Sequence, residues 1–454
     1  MRYADLTRAI AASVLAGEPS AEGISSRLAR TFGKPHRWHR SLARRYLKAF
    51  PANTRPSRRD VLNFLKDDGN LRRNRAERPD QFLVGEGINE PFRMAPVPAA
   101  AGWDIPVIES AAGLAACLHV DVNDLLWLAD LKGLGAKLGR PRLNHYHYRP
   151  VTKSTGGVRL IEIPKPRLKN VQRRILAGIL GRIPPHPAVH GFVKSRSIKT
   201  YATPHVGQRV VLRMDLQDFF PSFPAARIAA VFRIAGYLES VAEPLAGLCT
   251  NSVPRKLLAH LSPSMTYDNL RDARDIYERP HLPQGAPTSP LLANLCTYRT
   301  DCRLSGLANS VGAHYTRYAD DLAFSGDSSF ARNVESFSIH VAAILMEEGF
   351  RVNHRKTRVM RQGVRQHLAG VVANARVNTP RCDFDSLKAI LTNCVRRGPD
   401  GENRDARPQF RAHLEGRISF VESIHQERGA KLRAIFERIV WPSHPPQTPE
   451  NIFD

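Results

Sequence analysis

The sequence predicts an α+β fold in which a small antiparallel sheet is surrounded by helices. Residues 145–164 alternate in polarity around a glycine-containing turn, which is typical of a β-hairpin. Residues 210–215 form a short apolar run, and residues 315–324 contain two short apolar segments around a turn. Elsewhere apolar residues often recur every three to four positions, which is typical of amphipathic helices. Strands and helices that are segregated in this way indicate an α+β arrangement.

The first hundred residues predict a basic helical extension. Residues 20–48 have helical periodicity, a shorter helix is predicted at 57–67, residues 72–78 form a charge run, and residues 94–102 have linker composition. The apolar stripe of the first helical segment consists of Leu28, Phe32, Trp38, Leu42, Tyr46 and Phe50. Three roles are open for this extension: it could grip a structured RNA, dock a partner protein, or form a plain helical hairpin packed on the next domain.

Further helices are predicted between and after the strands. Residues 110–131 have a helix–turn–helix pattern, with Asp121 and Asp124 as acidic N-caps. A helix is predicted at 167–180, and C-terminal helices are predicted at 387–394 and 411–441. The chain from residue 442 onwards is proline-rich, and we expect it to be frayed.

The composition predicts a polyanionic partner. A formal net charge of +25 over 454 residues indicates binding to nucleic acid or to an acidic membrane. No apolar run reaches the length of a membrane span, and the N-terminus lacks a signal-peptide pattern, so we expect a cytoplasmic nucleic-acid-binding protein with no membrane partner. The six cysteines form no Cys-x-x-Cys pair, which predicts reduced, mostly buried thiols rather than a zinc site or a disulfide framework.

Three aspartates have a pattern that predicts a metal site. Asp320 and Asp321 are adjacent at the turn of the 315–324 hairpin, where two carboxylates repel each other, and Asp215 ends another strand. A divalent cation relieves this repulsion, and a strand-end aspartate with a hairpin aspartate can hold two Mg²⁺ ions. Such ions activate a 3′- or 2′-hydroxyl and stabilise a leaving pyrophosphate. By itself, an Asp-Asp turn is more often a solvated turn.

Four motifs that follow one another in the sequence favour a metal site over a solvated turn. They are Asp215-Leu216-Gln217-Asp218-Phe219-Phe220, Pro283-Gln284-Gly285-Ala286-Pro287-Thr288-Ser289-Pro290, Arg317-Tyr318-Ala319-Asp320-Asp321, and Gly349-Phe350 through Asn353 and Lys356. On these motifs the chain resembles the reverse transcriptases, specifically the bacterial retron-type branch, from about residue 145 to residue 441. The motifs have the order and spacing of that family.

The resemblance implies a right-hand polymerase with fingers, an antiparallel palm and a helical thumb. We therefore expect an extension at 1–100, fingers and palm at 101–370, a thumb at 371–441 and a tail at 442–454. The implied activity is RNA-directed DNA synthesis with two Mg²⁺ ions, for which Mn²⁺ can substitute. Asp215, Asp320 and Asp321 are the implied catalytic, metal-binding residues, and Asp321 is the least directly bound to metal in this family.

The resemblance also implies roles for residues around the incoming nucleotide. Phe220 occupies the steric-gate position, where a ring excludes a ribose 2′-hydroxyl; its alternative is a core phenylalanine. Gln284 and Gly285 line the nucleotide pocket, unless they form only an ordinary turn. Lys356 neutralises or protonates pyrophosphate, unless it is a solvated surface lysine.

Two more residues complete this predicted set. Arg159, in the basic fingers segment that continues to residue 174, is the triphosphate candidate, and Tyr318 is expected to contact the primer end. In the thumb, residues 410–439 predict an amphipathic helix with a basic face for the duplex backbone; a plain structural helix pair is the alternative.

Two family elements are only partly present. Tyr201-Ala202-Thr203-Pro204-His205 stands where retron enzymes have Asn-Ala-x-x-His, and Leu368-Ala369-Gly370 stands where they have Val-Thr-Gly. The polymerase is unaffected, but the branched RNA-linked DNA product and the priming mode are left open.

The implied setting is a retron-like element, expected to act in defence against phage. The expected partners are a structured non-coding RNA template, the DNA product, dNTPs and an effector protein. We expect no endonuclease or RNase H domain after the thumb, so template removal would need a host RNase H. An RNA-dependent RNA polymerase, which Phe220 disfavours, and a non-catalytic RNA-binding protein on a polymerase scaffold are the alternatives.

Overall fold

The computed structural model describes residues 3–15, 19–51, 56, 58–82, 96–138, 142–152, 158–261 and 270–441. Its helices are α1 (Tyr3–Leu15), α2 (Ala21–Thr31), α3 (Arg37–Ala49), α4 (Arg58–Asp67), α5 (Gly69–Glu77), α6 (Ala111–Cys117), α7 (Val122–Ala129), α8 (Leu134–Leu138), α9 (Pro166–Gly178), α10 (Ile198–Ala202), α11 (Ala225–Ile234), α12 (Glu239–Cys249), α13 (Arg255–Leu261), α14 (Leu270–Tyr277), α15 (Ser289–Cys296), α16 (Tyr298–Ser310), α17 (Ser328–Glu347), α18 (Arg381–Arg397), α19 (Phe410–Ile424) and α20 (Gln426–Phe436). Its strands are β1 (Tyr146–Thr152), β2 (Val158–Pro164), β3 (Val210–Gln217), β4 (His314–Tyr318), β5 (Asp321–Gly326), β6 (Arg351–Val352), β7 (Arg358–Arg361), β8 (His367–Leu368) and β9 (Val371–Val372).

The chain divides into two compact units. The first unit is Met1–Pro184 with Phe220–Cys296, and the second unit is Pro185–Phe219 with Thr297–Asp454. The predicted four-part division into extension, fingers and palm, thumb and tail is a division by role and stays a prediction.

Helices α1–α5 at the start of the first unit form a bundle around one apolar core. The predicted apolar stripe is buried in it, except that Phe50 is half-buried. The helical segment predicted at 20–48 is interrupted at residues 32–36, where Gly33 has a φ of +76°. The charge run at 72–78 lies largely within α5. Leu71 is the only buried residue of this helix, so the sequence has no apolar periodicity that would predict it.

The rest of the first unit contains the β1–β2 hairpin and helices α6–α9 and α11–α15. The hairpin is antiparallel from Tyr146 opposite Pro164 to Thr152 opposite Val158, as predicted, although its turn at 153–157 lies outside the described residues. The predicted helix pair at 110–131 is present, but Asp124 is not an N-cap. Asp121 caps α7 by accepting the backbone N–H groups of residues 123 and 124, and Asp124 lies inside the first turn.

The second unit is built on one antiparallel sheet. Strand β3 lies at its centre, with β5 and then β4 on one side and with β6 and β7 on the other. Six of the eight residues of β3 are buried, because the strand is covered on both faces. The strand predicted at 210–215 and the hairpin predicted at 315–324 are therefore neighbours in this sheet.

The C-terminal part of the second unit is a three-helix cluster. Helices α18, α19 and α20 pack around Phe384, Leu391, Leu414, Leu432 and Phe436. The segment predicted as a helix at 411–441 is broken between α19 and α20, and α18 is longer than the predicted 387–394. Residues 442–454, predicted to be frayed, lie outside the described residues.

Two further findings concern thiols and membrane-length helices. Cys249, Cys296 and Cys394 are buried, but the other three cysteines are exposed, so the prediction of mostly buried thiols is wrong for Cys117, Cys302 and Cys382. No single helix in the described ranges is long and apolar enough to cross a membrane; only α6 and α7 taken together reach that length and composition, and they are bent by 94°.

Candidate active site

Asp215 and Asp321 lie directly opposite each other in the sheet of the second unit. They are register partners at the end of the β3–β5 ladder. Asp320 precedes Asp321 in the turn between β4 and β5, and its backbone carbonyl accepts a hydrogen bond from the N–H of Leu216 at 2.9 Å. The three aspartates that the sequence singled out are therefore clustered at one end of the sheet.

The Asp215 carboxylate is buried and hydrogen-bonded to two residues that follow β6. Lys356 Nζ lies 3.2 and 3.1 Å from its two oxygens, and the Asn353 side-chain amide donates to Oδ1 at 3.1 Å. The backbone N–H of Asn353 also donates to the Asp215 carbonyl at 2.8 Å. Lys356 is thus a direct partner of Asp215 rather than an isolated surface lysine, which was its alternative interpretation.

The Asp321 carboxylate has a different cationic partner. Arg213 Nε donates to both of its oxygens, at 2.9 and 3.0 Å. Burial raises the pKa of Asp321 from its ordinary value of 3.8 to about 6, although the Arg213 guanidinium acts in the opposite direction. Sequence reasoning did not identify Arg213, but a signal was present: it stands two residues before Asp215 on a strand, hence on the same face.

A buried ion pair supports the turn that carries Asp320. Arg317 Nε and Nη2 donate to the two oxygens of Asp301 at 2.8 and 2.7 Å, and both side chains are fully buried. Arg317 Nη1 also donates to the carbonyl of Ala319 at 3.1 Å. Ala319 has a φ of +54°, which is unusual for a residue with a Cβ, so this hydrogen bond helps to hold a strained turn.

Gly191 allows the backbone to approach the same turn closely. A Cβ at this position would lie 2.8 Å from the backbone nitrogen of Ala319. Any larger residue would push against the turn that precedes Asp320. Neither Gly191 nor Asp301 has a local sequence signal, since both act on residues distant in the chain.

His205 forms hydrogen bonds to both strands of this hairpin, β4 and β5. Its ring nitrogens lie 2.7 Å from the hydroxyls of Ser325 on β5 and Thr316 on β4. Because Thr316 donates its only hydroxyl proton to the Tyr201 carbonyl, at 3.0 Å, Nε2 of His205 must be the donor to Thr316. Burial lowers the pKa of His205 to about 3, so the ring is neutral.

The partly matching family elements therefore have definite structural roles. Tyr201 stands in place of the family's asparagine; it is fully buried, and its hydroxyl donates to the Asp321 carbonyl at 3.4 Å. Its ring lies 5.8 Å from that of half-buried Tyr318, which Phe192 flanks at 6.2 Å. In the second element, Ala369 and Gly370 both have positive φ and form the β8–β9 turn.

The first unit holds the predicted nucleotide-pocket loop. Gly285 has a φ of +135°, and a Cβ there would lie 2.8 Å from the Glu162 carbonyl, so the loop requires glycine. The carbonyl of Gln284 accepts the backbone N–H of Glu162 at 2.9 Å. The loop is therefore attached to β2, the strand that also carries exposed Arg159.

A buried polar network lies beneath this loop and was not predicted. The Glu162 carboxylate lies 2.9 Å from His281 Nε2, and it accepts a hydrogen bond from the Asn251 amide at 2.6 Å. His281 Nδ1 lies 2.8 Å from the Arg279 carbonyl, so Nδ1 carries a proton. The network therefore holds the segment before Pro283 against β2, which carries Glu162.

Phe220 also belongs to the first unit. It is half-buried, and its backbone carbonyl accepts a hydrogen bond from the N–H of Phe223 at 3.2 Å.

Two basic residues of the predicted fingers segment bind other residues of the first unit: Arg167 pairs with Asp124, and Arg174 donates to the Leu118 carbonyl. The structure thus assembles Asp215, Asp320, Asp321, Tyr318 and Lys356 in the second unit. Phe220, Gln284, Gly285 and Arg159 lie in the first unit.

The donor set at the three aspartates fits an oxygen-binding divalent cation. Within the described residues, no three or more His, Cys, Asp or Glu side chains are grouped so that they could hold a metal ion by themselves. Mg²⁺ in nucleotide-transfer sites needs only one or two carboxylates, since substrate phosphates and water complete its shell. Asp215 and Asp321 stand at paired strand positions, and Asp320 is the residue before Asp321.

Comparisons with known proteins agree with the motifs. Residues 151–384 match the family described as reverse transcriptase (RNA-dependent DNA polymerase). The chain is 40% identical over 341 residues to the retron Mx65 reverse transcriptase of Myxococcus xanthus, covering 73% of this chain and 72% of that one. It is 35% identical to the retron Mx162 reverse transcriptase of the same organism, covering 73% and 67%.

A relative from another bacterium is more distant. The retron Ec86 reverse transcriptase of Escherichia coli is 31% identical, covering 63% of this chain and 79% of that one. A solved foamy viral protease–reverse transcriptase in complex with double-stranded DNA is 14% identical, with a TM-score of 0.31. The match covers 65% of this chain and 44% of the viral chain. The family match and the retron relatives show that this chain belongs to the retron-type bacterial reverse transcriptases, which are RNA-directed DNA polymerases of the α+β right-hand fold.

Proposed function

We propose that Asp215, Asp320 and Asp321 form the polymerising centre and hold two Mg²⁺ ions, for which Mn²⁺ can substitute. The observation that carries this proposal is the register of β3 and β5, which pairs Asp215 with Asp321 next to Asp320. When bound, the two ions supply activation of the primer hydroxyl and charge neutralisation at the leaving pyrophosphate. Arg213 holds Asp321 in place, which supports an orienting role for that carboxylate more than direct metal ligation.

Lys356 acts on the same centre. Its ammonium lies within hydrogen-bond distance of both Asp215 oxygens, so it orients this buried carboxylate. We propose that Lys356 also donates a proton to pyrophosphate as it leaves, since its ammonium lies at the centre beside Asp215. Asn353 fixes the position of Asp215 from the neighbouring side.

The remaining site residues bind and select the nucleotide. The loop at Gln284 and Gly285 presents backbone without side-chain bulk, and exposed Arg159 on the attached strand is available to a triphosphate. Phe220 excludes a ribose 2′-hydroxyl and so selects dNTPs over ribonucleotides. Tyr318 contacts the primer end beside the aspartates.

The biological setting that we propose is a retron-like element with a role in antiphage defence. Its template is a structured non-coding RNA, its product is DNA, an effector protein acts with it, and a host RNase H removes the template. The basic composition and the names of the retron relatives support the nucleic-acid part of this proposal.

Metal counting tests the centre apart from any assay of activity. In a complex with a chain-terminated primer on an RNA template and the next dNTP, electron paramagnetic resonance should count two Mn²⁺ per wild-type chain. Asp215→Asn should bind fewer, since an amide is a poor ligand for a hard cation. Glu335→Gln, which alters an exposed carboxylate on α17, serves as the matched control and should bind two. Equal counts in Asp215→Asn and wild type would overturn the proposed ligand set.

A further inference from the structure

Helix α3 of the N-terminal bundle presents a row of cations to solvent. Arg37, Arg40, Arg44 and Lys48 are all exposed and follow one another at spacings of three or four residues, so they share one face of the helix. We call these four residues the α3 stripe. At 1.5 Å per residue the stripe is about 16 Å long.

The other basic residues of α2 and α3 show what a structural cation looks like in this bundle. Buried Arg27 donates to the carbonyl of Ser13 at 2.8 Å, and half-buried Arg45 pairs with Asp68 at 2.8 Å. By contrast, no salt bridge involves any member of the α3 stripe within the part of the chain that the structure describes. The stripe therefore contributes nothing visible to the stability of the bundle.

The local sequence contributes no negative charge to α2 after its first turn or to α3. No Asp or Glu occurs between Glu22 and Asp60. A solvated helix face in a soluble protein usually mixes both signs of charge, which adds favourable pairs at spacings of three and four residues. A face with cations alone pays for repulsion within the helix, and a polyanion would relieve it.

The positions of the aromatic residues in the bundle favour a duplex over a single-stranded nucleic acid as the polyanion. Phe32, Trp38, Tyr46 and Phe82 are buried in the core, where Trp38 and Phe82 stack with ring centroids 4.5 Å apart. Recognition of single strands relies on exposed rings on which bases stack. Because the rings are inside, the surface offers charge without stacking, which suits the phosphates of a duplex.

The arrangement around the stripe also suits a duplex. Helix α2, the turn at residues 32–36 with Gly33, and α3 form a helix–turn–helix unit whose second helix carries the cations. Leu28 of α2 and Leu42 of α3 are buried in the same apolar core, and the α3 stripe lies on the exposed face of α3. A single helix of about 10–12 Å diameter can lie along a duplex groove or its phosphate rim.

We propose that the N-terminal bundle is a second nucleic-acid-binding site, at which the α3 stripe binds the phosphates of a duplex. The duplex can be the folded part of an RNA or double-stranded DNA, because both present the same phosphate chemistry. This site is separate from the aspartate centre and does not depend on the roles proposed for its residues.

The test uses the full chain in a complex with a chain-terminated primer–template and the next dNTP, so that the polymerase site is filled. Binding of labelled 16-base-pair DNA, RNA of the same sequence, and the single strands is then measured by fluorescence anisotropy over a range of salt. The stripe variant carries Arg37→Gln, Arg40→Gln, Arg44→Gln and Lys48→Gln. The matched control removes the same charge from other helices of the bundle, with Arg8→Gln, Arg59→Gln, Lys66→Gln and Arg73→Gln.

We expect the stripe variant to lose about tenfold or more in duplex affinity near physiological salt, and its slope of log K against log salt to fall by about 2 to 4. The control should change by less than about threefold. A loss with DNA alone would indicate insertion into the wide major groove, and a loss with both duplexes would indicate backbone binding; either result supports the site. Single strands should lose less than duplexes.

Charge-preserving substitutions separate recognition from folding. Arg37→Lys, Arg40→Lys and Arg44→Lys together should retain duplex affinity within about threefold, since phosphates are recognised here by charge. dNTP incorporation should be unchanged in all of these variants. Unchanged duplex binding by the Gln variant would overturn the proposal and leave the stripe to an acidic protein partner. Equal losses in the Lys and Gln variants, or a larger loss with single strands, would also contradict it.

Discussion

Asp215 and Asp321 are direct register partners on β3 and β5, yet each carboxylate is bound to a different cation. Lys356 Nζ lies 3.1 Å from Asp215, and Arg213 Nε lies 2.9 Å from Asp321. Two buried carboxylates at paired positions would otherwise repel each other strongly. The site is therefore held together by fixed cations on both sides, and its chemistry should depend on each of them.

Replacement of Lys356 by methionine should lower kcat for dNTP incorporation by about 10² or more, because general acid catalysis typically contributes 10²- to 10⁴-fold. The KM for primer–template should change little, since the Lys356 ammonium contacts the Asp215 carboxylate. Steady-state kinetics on a primed RNA template measure both quantities. Lys256→Met, an exposed lysine on α13, is the control. A change confined to KM would assign Lys356 to binding instead of proton transfer.

The centre of the site was predictable from local pattern. The short apolar strand that ends in Asp215 and the hairpin around Asp320 are each visible in the sequence, and antiparallel pairing then brings them together. The partners that support the turn were not predictable. Arg317 reaches Asp301 across two elements, and Gly191 acts on Ala319 through packing, so neither leaves a periodic signal.

The fold was predictable where apolar periodicity is strong and missed where it is weak. The core face of α2 and α3 repeats clearly and was identified, whereas α5 buries only Leu71 and was interpreted as a charge run. Helix boundaries were less accurate for a related reason. The interruption between α19 and α20 at His425 replaces no more than one residue of helical pattern, so the apolar spacing continues across it.

Phe220→Ala should admit ribonucleotides. If the ring excludes a 2′-hydroxyl, its loss should reduce the ratio of kcat/KM for dNTPs to that for rNTPs by about 10-fold or more, which corresponds to about 1.4 kcal/mol of lost discrimination. Incorporation of matched dNTPs and rNTPs opposite the same template base measures this ratio, and the dNTP reaction is the internal control. An unaltered ratio would mean that Phe220 is a core residue and not the gate.

Asp301→Asn should destabilise the second unit by about 3–5 kcal/mol, because it leaves the fully buried Arg317 guanidinium without a counter-charge. Urea unfolding measures the free energy of unfolding. Asp405→Asn removes the partner of Arg407 in an exposed ion pair and should cost no more than about 1 kcal/mol. Similar losses in the two variants would contradict the supporting role of Arg317 and Asp301.

His205 should make stability depend on pH. Its pKa is about 3 in the folded protein and ordinarily 6.5, so the unfolded chain binds the proton first as the pH falls. The free energy of unfolding should therefore decrease by about 2 kcal/mol between pH 7 and pH 5 through this residue alone.

A His205→Asn variant isolates that contribution. His190 and His314, which face His205 and oppose its protonation, remain in both proteins and cancel in the comparison. The stability advantage of wild type over His205→Asn, measured by urea unfolding, should shrink as the pH falls from 7 to 5. If the difference in free energy of unfolding stays constant over this range, His205 takes up a proton in the folded protein as readily as in the unfolded chain. That result would contradict a neutral His205 ring hydrogen-bonded between Ser325 and Thr316.

Single-nucleotide incorporation by Asp320→Asn tests directly whether Asp215, Asp320 and Asp321 form the polymerising centre. Purified protein is supplied with a primed RNA template, dNTPs and Mg²⁺, and wild type, Asp320→Asn and Glu335→Gln are compared at saturating substrate. We expect wild type and Glu335→Gln to extend the primer at the same rate and Asp320→Asn to be slower by about 10³-fold or more, because loss of a charge-stabilising group of this kind costs several kcal/mol in the transition state. Incorporation by Asp320→Asn at the wild-type rate would contradict the assignment of the Asp215, Asp320 and Asp321 cluster as the polymerising centre.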